Sequence, residues 1–217
     1  MQLAKRMERL GTETAFEVLA RARALEATGR EIIHLEIGEP DFDTPLNVVE
    51  AGKRALQEGA THYCPAAGIP ELKAAIASHI SKTRGIPLGP ENVVVTPGAK
   101  PIMFFVMLAL LEEGDSVAYP NPGFPIYESM VDFIGARRIP IGFKAEGEYC
   151  VFDVDDLVDK VDERTRLIIL NSPSNPTGAT LSHEDLVRIA DAAQSVGAMV
   201  LSDEIYSRII YEGGHES

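Results

Sequence analysis

The stretch from Arg166 to Tyr206 constrains the fold of this chain most. It opens on Leu167-Ile168-Ile169-Leu170, an apolar, β-branched run too short for a helix and bounded by turn formers. Such a run reads as a strand buried on both faces. Asn171-Ser172-Pro173-Ser174-Asn175-Pro176-Thr177-Gly178 follows, and its two prolines and glycine keep it from continuing as strand or helix. Ser182 then caps a helix, with Asp185 three residues on in a capping-box arrangement. Leu186, Ile189, Ala190, Ala193 and Val196 give that helix one apolar face. Gly197 stops it, and Met199-Val200-Leu201 reads as a second short buried strand. Strand, helix, strand predicts two parallel strands joined by a crossover. Ligands of such sheets bind outside the carboxyl ends of the strands. Asn175 follows one strand and Asp203, Glu204 and Tyr206 follow the other, so an amide, a carboxylate and a phenol are expected to face one crevice.

Composition removes several alternatives. The chain has 217 residues, enough for one sizeable core, with 33 acidic against 20 basic side chains and a formal charge of −13. That balance argues against a nucleic-acid or anionic-membrane surface. Cys64 and Cys150 offer neither a metal spacing nor a disulfide framework, which fits a reducing, cytoplasmic setting. The five histidines are scattered without ligand spacing, so no metal site is expected. The longest apolar run, Ile102 to Leu111, is too short to span a bilayer, and no secretory signal opens the chain. Neither a dinucleotide nor a P-loop glycine motif is present.

In chain order, residues 12–28 read as a helix closed by Gly29, and Ile32-Ile33-His34-Leu35 as a short strand. Thr44-Pro45 suits the start of a helix to about Glu58, and Pro70 opens another. Val93-Val94-Val95 reads as a buried strand, followed by Thr96-Pro97-Gly98-Ala99-Lys100 and a strongly apolar helix. Strand, glycine turn and helix start form an anion site, because backbone N–H groups and the positive dipole end point at the ligand. Ser116 to Tyr119 and Arg137 to Ile141 read as strands on either side of a helix through Tyr127 and Met130. Tyr149 to Asp162 reads as a loop and a short helix.

Ser174-Asn175-Pro176-Thr177-Gly178 followed, one helix later, by Ser202-Asp203-Glu204-Ile205-Tyr206 resembles the pyridoxal-phosphate aminotransferases of fold type I, the aspartate aminotransferase family. The resemblance implies an α/β fold, a three-layer α/β/α sandwich with a mostly parallel sheet, incomplete at its C-terminus. Residues 1–40 would be an N-terminal arm and small-domain segment, and residues 41–217 part of the cofactor-binding large domain. It implies that the cofactor phosphate lies beyond Gly98 on the amides of Ala99 and Lys100, and that Phe124 stacks on the pyridine ring. Asp203 would face the ring nitrogen and keep it protonated by opposite-charge pairing, which the cofactor needs as an electron sink. Asn175 and Tyr206 would donate to the ring 3′-oxygen, making Asp203 and Tyr206 the catalytic pair on this chain. Gly38, in the loop Gly38-Glu39-Pro40-Asp41-Phe42, and Asn175 would touch substrate. Tyr63 would reach the partner subunit's cofactor phosphate in a homodimer. The implied reactants are an amino acid and a 2-oxo acid. The family's Schiff-base lysine belongs C-terminal of Tyr206, beyond Ser217, so the chain reads as the first half of such an enzyme, expected to be inactive alone. Other pyridoxal-phosphate chemistry on the same scaffold, a β-lyase or a synthase, stays open, as does an inactive fragment.

Overall fold

The computed structural model describes residues 3–11, 14–40 and 42–217. Thr12 and Glu13, at the expected start of the first helix, and Asp41 of the Gly38–Phe42 loop lie outside the described residues. The helices are α1 (Thr14–Glu26), α2 (Leu46–Gln57), α3 (Pro70–Arg84), α4 (Lys100–Leu110), α5 (Ile126–Ile134), α6 (Val154–Lys160) and α7 (His183–Val196). The strands are β1 (Ser116–Pro120), β2 (Arg137–Ile141), β3 (Phe143–Glu146), β4 (Tyr149–Phe152), β5 (Thr165–Asn171) and β6 (Met199–Asp203). The chain divides into two compact units, Met1–Thr12 with Pro97–Ser217, and Glu13–Thr96. The expected boundary at residue 40 falls inside the second of these.

The first unit is built on a four-stranded sheet in the order β2-β1-β5-β6, and every neighbouring pair is parallel. Side chains alternate across a strand, so successive residues feed two separate cores. On one face Ala118, Ile139, Ile141, Ile168 and Leu170 pack with Val154 and Leu157 of α6 and Ile189, Ala192 and Ala193 of α7. On the other, Val117, Tyr119, Leu167 and Ile169 pack with Met103 and Met107 of α4 and Tyr127, Met130 and Val131 of α5. These are three layers, helices over both faces of a parallel sheet. The α7 ends form as the sequence predicts. Ser182 Oγ accepts from the Asp185 N–H at 3.1 Å, Asp185 Oδ2 accepts from the Ser182 N–H at 3.0 Å, and Gly197 closes the helix with φ +71°.

Four expectations need correction. β6 is parallel to β5, but it is not buried: Met199 is 58% and Val200 41% exposed, because β6 is the outer strand of this sheet and has a neighbour on one side only. Tyr149–Phe152, at the start of the stretch expected as loop and short helix, is strand β4, which pairs antiparallel with β3 in a hairpin whose two-residue connection places Gly147 at φ +63°. Val93–Val95 and Ile32–Leu35 are not strands. A strand exists only with a hydrogen-bonded neighbour, and the Val95 N–H instead donates to the carbonyl of Ala67 at 3.0 Å. His34 is clasped by Glu36 at 2.6 Å and Glu26 at 2.9 Å, while Ile33 and Leu35 stand exposed.

The second unit is helical. Among its described residues only Ala22, Ala77 and Val93 are buried apolar side chains. Gly68 is required at its turn: with φ +103°, a Cβ there would lie 2.7 Å from Val95 Cγ2.

Candidate active site

β1 leads into α5 on one face of the sheet, whereas β5 leads into α7 on the other. The loops after these two neighbouring strands therefore part at their carboxyl ends, which opens a crevice where open α/β sheets bind ligands. A cleft of about 380 Å³ lies there. One wall is the start of α4, with Gly98, Ala99 and Lys100; a second is Phe124 with Tyr127; the third is Asn171, Asn175, Asp203, Ile205 and Tyr206.

The wall from β5 and β6 is held by backbone register. Asn171 and Asp203, the last residues of their strands, are direct partners in the parallel ladder. Asn171 Nδ2 donates to the Asp203 carbonyl at 3.1 Å, and Asn171 Oδ1 accepts from the Asn175 N–H at 2.7 Å. One buried amide side chain thus ties the loop that carries Asn175 to the strand that carries Asp203. The loop closes on itself through the Ser174 N–H to the Ala179 carbonyl at 2.8 Å and the Gly178 N–H to the Ser174 carbonyl at 2.7 Å. Tyr206 sits in the turn after β6, where the Ser207 N–H donates to the Glu204 carbonyl at 3.0 Å. Glu204 itself is turned away from the cleft, as alternation in an extended segment predicts, and accepts from Ser202 Oγ at 3.0 Å.

Asp203 is buried and carries the site's chemical character. Its Oδ2 accepts from the Tyr127 hydroxyl at 2.6 Å and its Oδ1 from the Ile205 N–H at 3.3 Å. A carboxylate taken from water needs compensation by donors or by a cation, and Asp203 lines the cleft. Tyr127 is fully buried, and burial first, then its bond to Asp203 and the charge of that carboxylate, raise the phenol well above the ordinary tyrosine range. It is therefore a fixed donor.

On the opposite wall, Gly98 turns the chain with φ +89° and Ala99 precedes the first turn of α4. A helix of 11 residues presents its positive dipole end to the cleft. Lys100 Nζ lies 5.8 Å from the Phe124 ring centroid, and Phe124 meets Tyr127 edge to face with centroids 5.9 Å apart at 88°. The cleft thus offers a cationic end, an aromatic face, neutral amide and phenol side chains and a buried carboxylate. That donor set fits a flat, phosphorylated heterocycle whose ring nitrogen carries a proton.

Of the residues singled out from the sequence, Gly98, Ala99, Lys100, Phe124, Asn175, Asp203 and Tyr206 line this one cleft. Gly38 and Tyr63 belong to the Glu13–Thr96 unit, where both are exposed. Sequence reasoning missed Asn171 and Tyr127. Asn171 hides behind the apolar run Leu167–Leu170, and the phenol of Tyr127 gave the one signal: a polar handle on the buried face of α5, whose partner lies 76 positions away.

These features define a parallel α/β protein with a cofactor-type cleft at its topological switch point. The chain belongs to the aminotransferase class I and II family, whose model it matches over residues 30–216. It is 40% identical over 209 residues to a probable aspartate/prephenate aminotransferase of Aquifex aeolicus, covering 96% of this chain and 53% of that protein. It is 43% identical over 196 residues to an aspartate aminotransferase of Pyrococcus horikoshii, covering 90% of this chain and 49% of that one. Among solved structures, the aspartate aminotransferase of Thermus thermophilus with maleate superposes on the whole chain and on 56% of its own, with TM-score 0.94 and 37% identity. The chain therefore spans about half the length of the relatives it matches. Its fold is that of the first part of a fold type I large domain. Among the described residues no helix is long and apolar enough to cross a membrane, and no group of three or more His, Cys, Asp or Glu side chains is placed to hold a metal ion.

Proposed function

We propose that the protein carrying this chain transfers an amino group between an amino acid and a 2-oxo acid, with pyridoxal 5′-phosphate as cofactor, as a cytoplasmic homodimer. One observation carries the reading: a buried carboxylate, an amide, a phenol, an aromatic ring and a helix start converge on one cleft. When bound, the cofactor supplies an electron sink for the charge left on the amino acid's Cα. The chain's own residues hold and orient it. The start of α4, with Gly98, Ala99 and Lys100, takes the phosphate. Phe124 covers one ring face and keeps water from it. Asp203 holds a proton on the ring nitrogen, and Asn175 and Tyr206 donate to the 3′-oxygen. The Gly38 backbone and Asn175 meet the substrate, and Tyr63 reaches the phosphate of the partner subunit.

The test is amino transfer to a panel of 2-oxo acids by the full-length protein supplied with pyridoxal phosphate. Turnover is expected, with Asp203→Ala lowering kcat by at least about a hundredfold, the scale on which a preorganised electrostatic partner acts. Elimination without amino transfer, or an Asp203→Ala variant as active as the parent, overturns the reading.

A further inference from the structure

Tyr127 belongs to no motif that the functional reading uses, yet it touches two groups of the cleft at once. It is fully buried in the first turn of α5, and its backbone N–H donates to the Phe124 carbonyl at 3.1 Å. Its ring meets the Phe124 ring edge to face, and its hydroxyl donates to Asp203 Oδ2 at 2.6 Å. A tyrosine placed only for packing needs some acceptor for its hydroxyl, and any backbone carbonyl serves. Here the acceptor is the buried carboxylate on the cleft wall, and the bond is short, as charge-assisted bonds are. Among the described residues Oδ1 accepts the longer 3.3 Å bond from the Ile205 N–H, so the 2.6 Å bond from the phenol is the principal restraint on the carboxylate plane.

We propose that Tyr127 is the positioning residue of this cleft: its hydroxyl sets the orientation and proton-accepting strength of Asp203 toward the cofactor ring nitrogen, while its ring braces Phe124 on the ring face. The inference rests on the cofactor reading above. The phenol engages part of the carboxylate's electron density and leaves the proton on the ring nitrogen. Burial keeps the hydroxyl protonated far into the alkaline range, so the control is constant wherever the protein works.

The test uses the full-length apoprotein titrated with pyridoxal phosphate labelled with 15N in the ring. Two readouts are followed: the dissociation constant by equilibrium dialysis, and the ring nitrogen resonance. Tyr127→Phe keeps the edge-to-face contact and deletes only the hydroxyl. It is expected to weaken cofactor binding about tenfold, the scale of one charge-assisted hydrogen bond, and to move the resonance toward the unprotonated position. Placing 3-fluorotyrosine at position 127 preserves shape and strengthens the donor, and it is expected to move the resonance the opposite way. This arm decides the matter if Tyr127→Phe does not fold. A purely structural tyrosine predicts no opposed shifts. Binding within twofold of the parent and an unmoved resonance in either variant overturn the proposal while the cofactor reading stands. Failure of the unsubstituted protein to bind the cofactor overturns both.

Discussion

The two units of the chain solve the burial problem differently. In Pro97–Ser217, β1 and β5 are enclosed on both faces, and Val117, Ala118, Leu167, Ile168 and Ile169 are entirely removed from water. In Glu13–Thr96, three helices of 12 to 15 residues carry apolar side chains that remain in water, Leu46 at 73% and Leu56 at 66% exposure among them. A helix draws most of its stability in a protein from the apolar face it buries, not from propensity. The sheet unit thus contains its own core, whereas the helical unit contains side chains suited to a core that it does not itself enclose. Every residue that lines the cleft belongs to the sheet unit.

The largest effect that separates the units is a cavity. Ile168→Ala removes a side chain packed between β1, α6 and α7 and is expected to cost about 2–5 kcal/mol by urea unfolding. Leu46→Ala on α2 is expected to stay within about 0.5 kcal/mol. Equal costs would end the contrast. Amide hydrogen exchange sharpens it at finer grain: the amides of β1 and β5 are expected to exchange only through global opening, and those of α1 and α2 through local opening. Protection in α1 equal to that in β5 would refute it.

The smallest effects are in pH, and the two units respond in different windows. Burial, aided by the charge of Glu128, pushes the Tyr119 phenol up to about 12. A raised folded value means that the stabilisation is complete below the ordinary value of 10 and is lost as pH rises from there through about 12. Thermal midpoints of the sheet unit are therefore expected to fall in that window, together with delayed tyrosinate absorbance, and Tyr119→Phe should reduce the fall. In the helical unit, hydrogen bonds donated by the His34 ring to Glu36 and then to Glu26 raise His34 above 6.5. Its contribution is present in acid and is lost as pH rises through that elevated value. The group is exposed, so the effect is small and is best read as the imidazole NMR titration, which Glu36→Gln should return toward 6.5.

The same contrast explains what the sequence disclosed. Continuous apolar runs and capping residues announce elements that are buried by their own neighbours, so β1, β2, β5 and α7 were readable from composition and spacing. Val93–Val95 and Ile32–Leu35 have strand composition but no pairing partner among the described residues, and composition cannot show that. The β3–β4 hairpin was lost because Tyr149-Cys150-Val151-Phe152 shows no clean polar alternation. In the site, Asn175, Asp203 and Tyr206 were legible because they stand at or just beyond strand ends, where parallel sheets collect ligands. Tyr127 and Asn171 act through partners distant in sequence, and no local pattern encodes those.

The pairing of Asn171 with Asp203 has one more consequence. Leu167–Leu170 of β5 and Met199–Leu201 of β6 are apolar runs without polar alternation, so hydrophobicity alone says little about which residue should stand opposite which. A slide of one position would retain apolar contacts while sending Asp203 to the opposite side of the sheet. The Asn171 side chain, bonded to the Asp203 carbonyl and to the Asn175 amide, resists that slide at both ends. It works as an alignment key, and the reactive wall of the cleft exists in only one of the sliding positions that the two strands could otherwise share.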